Sequence, residues 1–302
     1  MTIKLGVDLG GTKTEIVALT DSGEILLRRR VPTPSGSYDA TLAMIKNLVT
    51  QVDDELGARY PIGFGTPGSI SPLDGNMRNC NSTCLNGQPL QRDLQQLLQR
   101  PVALANDANC LALSEASDGA GAGSPVVFAV ILGTGVGAGI VIRGEVLQGA
   151  NGIAGEWGHN PLPWPRDDER HGANCYCGRR GCVESFLSGP GMKQDHFTVT
   201  GETLEPHQIA SRAAALDQNC EATLVRYEER LARALAHVIN ILDPNVIVLA
   251  GGLSNLTRLY KNVPQVWGNY IFSDVVQTKL LRNEHGDSSG VRGAAWLAQT
   301  VS

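Results

Sequence analysis

The sequence has little that would place the chain in a membrane or on nucleic acid. Its longest apolar run, Val126 to Leu132, is far too short to span a bilayer, and Asp8 interrupts the N-terminal apolar residues that a signal peptide would need. The formal net charge is −5, and the Lys and Arg residues are scattered, so neither nucleic acid nor an anionic membrane is an expected partner. These absences predict a cytoplasmic protein that binds a small molecule.

The sequence also lacks the cysteine pattern of a disulfide-bonded secreted protein. Seven cysteines is an odd number, and three of them crowd into Cys175, Cys177 and Cys182. Such crowding is typical of metal ligation in a reducing compartment. At 302 residues, the chain exceeds the size at which one hydrophobic core keeps growing, which predicts two closely associated lobes.

The order of apolar runs and turns indicates an internal duplication. The segments Ile3 to Asp8, Ile16 to Leu19 and Ile25 to Val31 are separated by turn residues and predict a three-stranded meander. The same pattern recurs from Val126, at an offset of roughly 125 residues.

Helical periodicity appears between and after these strands. Apolar residues fall on one helical face in residues 42–56, 90–98 and 231–242. The last of these helices is stopped at Asp243-Pro244 and leads into the strand-like run Val246 to Ala250.

Strands mixed with helices in two similar halves predict an α/β fold of two lobes with a central cleft. We expect an N-terminal lobe of residues 1–118 and a C-terminal lobe of residues 119–302, with the chain passing between them near the glycine-rich segment Gly119 to Ser124. The last helix is expected to pack back on the N-terminal lobe.

Two glycine turns occupy equivalent places in the two halves. The first, Asp8 to Lys13, lets backbone N–H groups approach a phosphate, although this hexapeptide alone fits a plain hairpin turn equally well. It is not a Walker A loop, because Thr12 and not lysine follows Gly11. The second, Gly133 to Gly139, is not a dinucleotide fingerprint, because it continues into a strand instead of a helix. The pair predicts two turns that together bind one polyphosphate.

Asn106-Asp107 lies at a predicted strand-to-helix corner. Such a pair is typical of an ordinary helix N-cap, and that interpretation suffices for these two residues alone. A helix N-terminus makes a carboxylate a weak base, but phosphoryl transfer depends more on positioning than on base strength. Capping and catalysis by Asp107 are therefore compatible.

His159 and the three clustered cysteines form a full ligand set for tetrahedral zinc. The alternative is three free thiols and an unrelated histidine, but the pattern Cys-x-Cys-Gly-x-x-Gly-Cys crowds thiols with turn glycines. Four protein ligands make a closed, structural site, whose expected role is to hold His159 and Glu184 in place.

Asn79, Asn81 and Asn86 lie in a polar segment that predicts a surface loop. Polar residues are ordinary in a solvent-exposed loop, and this is sufficient to explain all three asparagines. Asn side chains can also donate to and accept from sugar hydroxyls, so one of them is a candidate ligand.

Together these motifs resemble the ROK family of sugar kinases and repressors over essentially the whole chain, and most closely its bacterial fructokinases of the manno(fructo)kinase type. The segments that carry the resemblance are Asp8 to Lys13, Gly65 to Gly68, Asn81 to Thr83, Leu85 to Gly87, Leu104 to Cys110, Gly155 to Asn160, the cysteine cluster and Ser288 to Gly293.

The resemblance implies a duplicated actin/hexokinase-like (ribonuclease H-like) fold, ATP and Mg²⁺ as cofactors, a structural Zn²⁺ and a homodimer. It implies that Asp107 is the catalytic base that takes a proton from a sugar hydroxyl. The implied sugar ligands are Asn81, Asn106, Asp107, Glu156, His159 and Glu184, and the implied zinc ligands are His159, Cys175, Cys177 and Cys182. The implied ATP-binding residues are Asp8, Gly10, Gly11, Thr12, Lys13, Gly133, Thr134, Gly135, Gly137, Gly251 and Gly252, the last two near the adenosine. His159 would bridge zinc and sugar through its two ring nitrogens.

Two features depart from the family pattern. Cys84 stands where a tryptophan is expected, and this affects packing near the sugar. The stretch between His159 and Cys175 is longer than in many members, and the family's fructokinases often carry such an insertion.

The expected reaction is transfer of the γ-phosphoryl group of ATP to the C6 hydroxyl of D-fructose, with mannose or glucose as secondary substrates. The alternatives are a glucokinase or an N-acetylhexosamine kinase of the same family. A sugar-responsive repressor is disfavoured, because the chain starts directly at the first phosphate-loop strand, without a helix-turn-helix.

Overall fold

The computed structural model describes residues 2–301. Its strands are β1 (Lys4–Leu9), β2 (Lys13–Leu19), β3 (Ile25–Pro32), β4 (Ile62–Thr66), β5 (Ser69–Ile70), β6 (Met77–Arg78), β7 (Val102–Asn106), β8 (Val126–Leu132), β9 (Val136–Ile142), β10 (Glu145–Val146), β11 (Val246–Ala250) and β12 (Lys279–Arg282). Its α-helices are α1 (Tyr38–Leu56), α2 (Leu90–Leu98), α3 (Asp107–Ser117), α4 (Val183–Leu187), α5 (Gly189–Thr200), α6 (Pro206–Ala214), α7 (Gln218–Leu242), α8 (Leu259–Trp267) and α9 (Ser289–Leu297). Among residues 2–301, none of these helices combines the length and apolar character needed to cross a bilayer.

Two five-stranded sheets share one strand topology. Their orders are β3-β2-β1-β4-β7 and β10-β9-β8-β11-β12. In the first sheet, β1 pairs antiparallel with β2 and parallel with β4, and β4 pairs parallel with β7. In the second, β11 pairs parallel with both β8 and β12. The repeated order confirms the predicted duplication and the α/β fold class.

The chain divides into two compact units, which we call the first and second unit. The first contains the chain up to Gly123, residues 139–154 and the chain from Glu284 onward, and the second contains residues 124–138 and 155–283. α9 belongs to the first unit, as expected for the last helix, and residues 139–154 join it as well, so the division is not a single cut between residues 118 and 119.

Close backbone contacts explain why α9 belongs to the first unit. A Cβ atom on Gly6 of β1 would lie 2.3 Å from the carbonyl oxygen of Val291, and one on Gly63 of β4 would lie 2.1 Å from that of Ala294. Glycine is therefore required at both places for the helix to lie against the sheet. Every residue of α9 except Gly290 is buried, so this helix is part of the core of the first unit.

In the second unit, a buried ion-pair network anchors the long segment between His159 and Cys175. The Glu169 carboxylate accepts hydrogen bonds from Arg230 Nε at 2.7 Å and from Arg233 Nη1 at 2.9 Å, and all three side chains are buried. Removing one partner of such a network would leave an uncompensated buried charge. This segment is thus built into the packing of α7.

Candidate active site

In the first unit, the parallel strands bring two predicted carboxylates to one edge of the sheet. Asp8 on β1 is in register with Gly65 on β4, which is in register with Ala105 on β7. Asp107 follows the end of β7 and begins α3. Because the carboxyl ends of parallel strands meet at the same edge, Asp8 and Asp107 are close enough for their charges to interact.

This neighbourhood changes the acidity of both groups. Burial raises the pKa of Asp8 to about 6, and the negative charges of Asp107 and Glu15 act in the same direction. The Asp107 side chain is accessible to solvent, but the protein atoms around it displace enough water to raise the pKa of its carboxyl group. The hydrogen bond from the Ala108 N–H opposes that shift. A raised pKa makes Asp107 a better proton acceptor than an ordinary aspartate.

Asn106 takes the capping role at the start of α3. Its Oδ1 accepts a hydrogen bond from the Asn109 N–H at 2.8 Å, while Asp107 Oδ1 accepts from the Ala108 N–H, also at 2.8 Å. Asn106 is therefore the N-cap and Asp107 lies in the first turn. Because the side-chain oxygen of Asn106 accepts the capping hydrogen bond, the side-chain NH₂ group is the part that can donate to a ligand.

The first glycine turn joins β1 to β2. The Gly10 N–H donates to the Lys13 carbonyl at 3.1 Å, and a Cβ on Gly11 would lie 3.1 Å from Ser82 Oγ. The turn residues Gly11 and Thr12 line a pocket of about 320 Å³ together with Asn81. Residues 33–36 and Cys84 line the same pocket. The structure thus brings together residues predicted for phosphate and for sugar, and adds the segment 33–36, which no sequence motif indicated.

The second glycine turn is shorter than predicted. It comprises Gly133 to Gly135, closed by a hydrogen bond from the Gly133 N–H to the Gly135 carbonyl at 3.0 Å. Gly137, expected to bind the cofactor, lies within β9. Gly139 serves packing, because a Cβ there would lie 2.5 Å from the Ala108 carbonyl oxygen. A run of glycines marks both flexible turns and close backbone approach, so the pattern could not separate the two.

A pocket of about 950 Å³ in the second unit collects the residues expected for ATP. Gly133, Thr134 and Gly252 line it. Gly251 adopts a φ of 83°, and a Cβ there would lie 2.5 Å from the Leu132 carbonyl oxygen. The residues that sequence motifs did not indicate come from α5, α6 and the segments next to α6 and β11; they include Lys193, Glu205, His207 and Asn255. The size, and a mostly apolar lining with a few polar side chains, suit a nucleotide.

The predicted metal ligands come together in the second unit. The candidate ligand atoms of His159, Cys175, Cys177 and Cys182 all lie within 4.8 Å of one another. Cys175 Sγ lies 3.5 Å from His159 Nδ1, and Cys177 Sγ lies 3.6 Å from Cys182 Sγ. Tetrahedral zinc with bonds of about 2.0–2.3 Å needs ligand atoms about 3.5–3.8 Å apart, so these residues fit a zinc ion.

The sugar ligands expected in the second unit flank this cluster. His159 turns Nδ1 towards Cys175, while its Nε2 lies 2.9 Å from the hydroxyl oxygen of Tyr176. A sugar hydroxyl at Nε2 would replace Tyr176, a partner that no motif indicated. Glu184 accepts a hydrogen bond from the Val136 N–H at 2.9 Å, and Glu156 is exposed just before the short 3₁₀ turn Trp157–His159.

Comparison with known proteins agrees with this architecture. The N-acetyl-D-glucosamine kinase of Vibrio atlanticus (strain LGP32) is 39% identical over 296 residues, which cover 97% of this chain and 98% of that protein. The N-acetyl-D-glucosamine kinase of Yersinia pseudotuberculosis serotype O:1b (strain IP 31758) is 37% identical over 297 residues, 97% of each chain. The solved structure of a ROK hexokinase from Thermus thermophilus has a TM-score of 0.87 and 28% identity, with 99% of this chain and 98% of that chain covered.

The duplicated sheets and their two glycine turns define an actin/hexokinase-like two-lobe protein. The ROK family model matches residues 4–301, and the chain belongs to the ROK family. The expectation of a ROK sugar kinase, an ATP-dependent hexose kinase, is confirmed. These relatives do not support the more specific expectation of a fructokinase.

Proposed function

We propose that this chain transfers the γ-phosphoryl group of ATP to N-acetyl-D-glucosamine. The observation that carries the proposal is the sequence identity of 37–39% to N-acetyl-D-glucosamine kinases over 97% of the chain. This hexosamine was one of the alternatives left open by the motifs, and it now replaces fructose as the leading candidate.

In the proposed mechanism, Asp107 accepts the proton of the C6 hydroxyl as that oxygen attacks the γ-phosphorus and the bond to the ADP oxygen breaks. Its position in the first turn of α3 supports this role, because Asn106 caps the helix and leaves the Asp107 carboxylate accessible. Phosphoryl transfer gains mainly from orientation of the attacking oxygen, which a carboxylate held by the Ala108 N–H can provide.

The remaining site residues are proposed in the roles that the resemblance to ROK kinases implies, and Asn81, Gly133 and Thr134 among them line the two pockets. Asn81, Asn106, Glu156, His159 and Glu184 are proposed to bind sugar hydroxyls, with amide and carboxylate groups that donate and accept hydrogen bonds. The turns at 10–13 and 133–135 are proposed to bind the phosphates of ATP, and Gly251-Gly252 to lie near the adenosine. Bound Mg²⁺ would neutralise phosphate charge, and Zn²⁺ at the His159 cluster would hold its ligands in place. A cytoplasmic homodimer without a nucleic-acid partner remains a prediction.

Fructose is the second candidate, because the sequence motifs resemble those of the family's fructokinases. The long segment between His159 and Cys175, a feature of the fructokinases that the motifs resemble, is fastened to α7 by the buried pairs of Glu169 with Arg230 and Arg233. It is therefore part of the packed second unit and follows the proposed sugar ligand His159 in the chain.

A substrate panel with coupled ADP detection tests both candidates. We expect kcat/KM for N-acetyl-D-glucosamine to exceed those for fructose, mannose and glucose by about tenfold or more, because a site that hydrogen-bonds an acetamido group discriminates against sugars without it. N-Acetylmannosamine serves as the matched control, because it carries the same substituent in the other configuration. A higher kcat/KM for fructose would replace the leading candidate with the second one.

A further inference from the structure

The glycine turn at 133–135 is held by the segment that carries the metal ligands. Glu184 Oε2 accepts a hydrogen bond from the Val136 N–H at 2.9 Å, at the end of the turn. At the other end, the Gly133 carbonyl accepts one from the Gly189 N–H at 2.8 Å. Glu184 lies on α4 and Gly189 at the start of α5, so the α4–α5 segment holds both ends of the turn.

A third contact comes from the residue next to His159. A Cβ on Gly158 would lie 2.1 Å from the Val136 carbonyl oxygen, so the backbone of the short turn Trp157–His159 packs directly on the end of the glycine turn. The turn is thus held by two hydrogen bonds and one tight backbone contact, and two of these three contacts come from Gly158 and Glu184, which lie next to or two residues after candidate zinc ligands in the chain.

The glycine turn and Glu184 also fit each other sterically. A Cβ on Gly135 would lie 2.8 Å from Glu184 Oε2, which is closer than packed atoms tolerate. The carboxylate therefore occupies the space that a side chain at position 135 would need. A larger residue at 135 therefore requires the carboxylate to shift from its position at the Val136 N–H.

We propose that Glu184 is a positioning residue for the phosphate-binding turn, and that metal loading at His159, Cys175, Cys177 and Cys182 sets nucleotide affinity through it. Cys182 is the N-cap of α4, two residues before Glu184, and His159 follows Gly158. A metal that fixes Cys182 and His159 fixes the start of α4 and the backbone that packs on Val136. The turn is then pre-organised for phosphate, which lowers the entropic cost of binding.

This inference rests on the proposed kinase function only for the identity of the ligand, ATP. Its test is equilibrium binding of ADP by calorimetry, without sugar and without turnover, in zinc-loaded protein. A different hexose preference would leave these results unchanged, so the two proposals can fail separately.

We expect Glu184→Ala to weaken ADP binding about tenfold, because the Val136 N–H loses a charged acceptor. Glu184→Gln keeps an acceptor oxygen and should restore affinity to within about threefold of the unchanged protein. Ser185→Ala is the matched control: it removes a 2.7 Å hydrogen bond to the Cys182 carbonyl on the same helix without touching the turn, and should leave ADP affinity unaltered.

A double-mutant cycle separates this role from general damage. Gly135→Ala must displace the Glu184 carboxylate, so it and Glu184→Ala break the same contact and their effects should not add. Chelation of the zinc should weaken ADP binding in the unchanged protein more than in Glu184→Ala. Additive effects in the cycle, or an ADP affinity for Glu184→Ala equal to that of Ser185→Ala, would overturn the proposal. If Glu184→Ala does not fold, the ADP affinity of Gly135→Ala is compared with that of Ser185→Ala. Equal ADP affinities in these two variants would refute the positioning role of Glu184.

Discussion

Asp107 combines accessibility with a fixed position. Asn106 satisfies the start of α3, so the Asp107 carboxylate does not have to cap the helix and accepts a hydrogen bond from the adjacent Ala108 N–H. A local pattern of Asn-Asp at a helix start could not assign these two roles, because either residue is a good N-cap. The structure assigns the cap to Asn106.

We predict that Asp107→Asn lowers kcat by about 10² or more, while the sugar KM changes less, because the amide keeps the shape but cannot take the proton. Steady-state kinetics on the preferred hexose measures this. Asp39→Asn is the matched control, since Asp39 is also a first-turn carboxylate, on α1 behind the N-cap Ser37. A near-normal kcat for Asp107→Asn would remove Asp107 from the mechanism.

The raised pKa of Asp8 predicts that the stability of the folded protein depends on pH. This pKa is about 6 in the folded protein against 3.8 for an ordinary aspartate, because burial and the charges of Asp107 and Glu15 disfavour the ionised form. The folded state therefore binds the proton more tightly, and the ionisation of Asp8 lowers stability progressively as the pH rises from 3.8 to about 6.

Asp8→Asn should accordingly raise Tm above pH 6, and this gain should shrink towards pH 4. Thermal unfolding from pH 4 to pH 8 without ligand measures it. Asp74→Asn is the control with the opposite sign, because the Asn76 N–H lowers the pKa of that exposed carboxylate. A Tm gain for Asp8→Asn that does not depend on pH would contradict the electrostatic cause.

At the scale of elements, strands and amphipathic helices agree well with the sequence patterns. The apolar run from Val126 to Leu132 has the same first and last residues as β8. The helix predicted to stop at Asp243-Pro244 ends at Leu242. α9 gave no comparable periodic signal, because eight of its nine residues are buried and apolar periodicity requires an exposed face. Glycines at 290 and 293 further weaken any helical pattern there.

The cysteine cluster supports a prediction about the element that it organises. We expect about one equivalent of zinc per chain in metal analysis, and Cys177→Ser should lose the metal and lower Tm by about 5 °C or more, because a structural site contributes its binding energy to folding. Cys84→Ser, which changes a half-buried cysteine outside the cluster, should keep the zinc. Metal-free protein with unchanged Tm and activity would end the zinc assignment.

At the scale of the whole molecule, the duplication is the dominant feature. Both sheets follow the same strand order, yet the compact units are built from segments that alternate along the chain. Residues 139–154 and α9 join the first unit although they lie in the C-terminal half of the duplicated sequence. A single boundary in the sequence could not describe this, because compactness depends on spatial contacts and not on order along the chain.

The sequence by itself determined the α/β class, the duplication, the ROK family motifs and the set of candidate metal ligands, because periodicity, turn residues and ligand spacing are local properties. Only the tertiary structure decided which glycines form turns and which allow close packing, that Asn106 rather than Asp107 caps α3, and that Glu184 contacts the second glycine turn. Those properties depend on atoms from distant segments: Glu184 meets Val136 and Gly139 meets Ala108. No local pattern records such contacts, since they exist only once the strands and helices have packed.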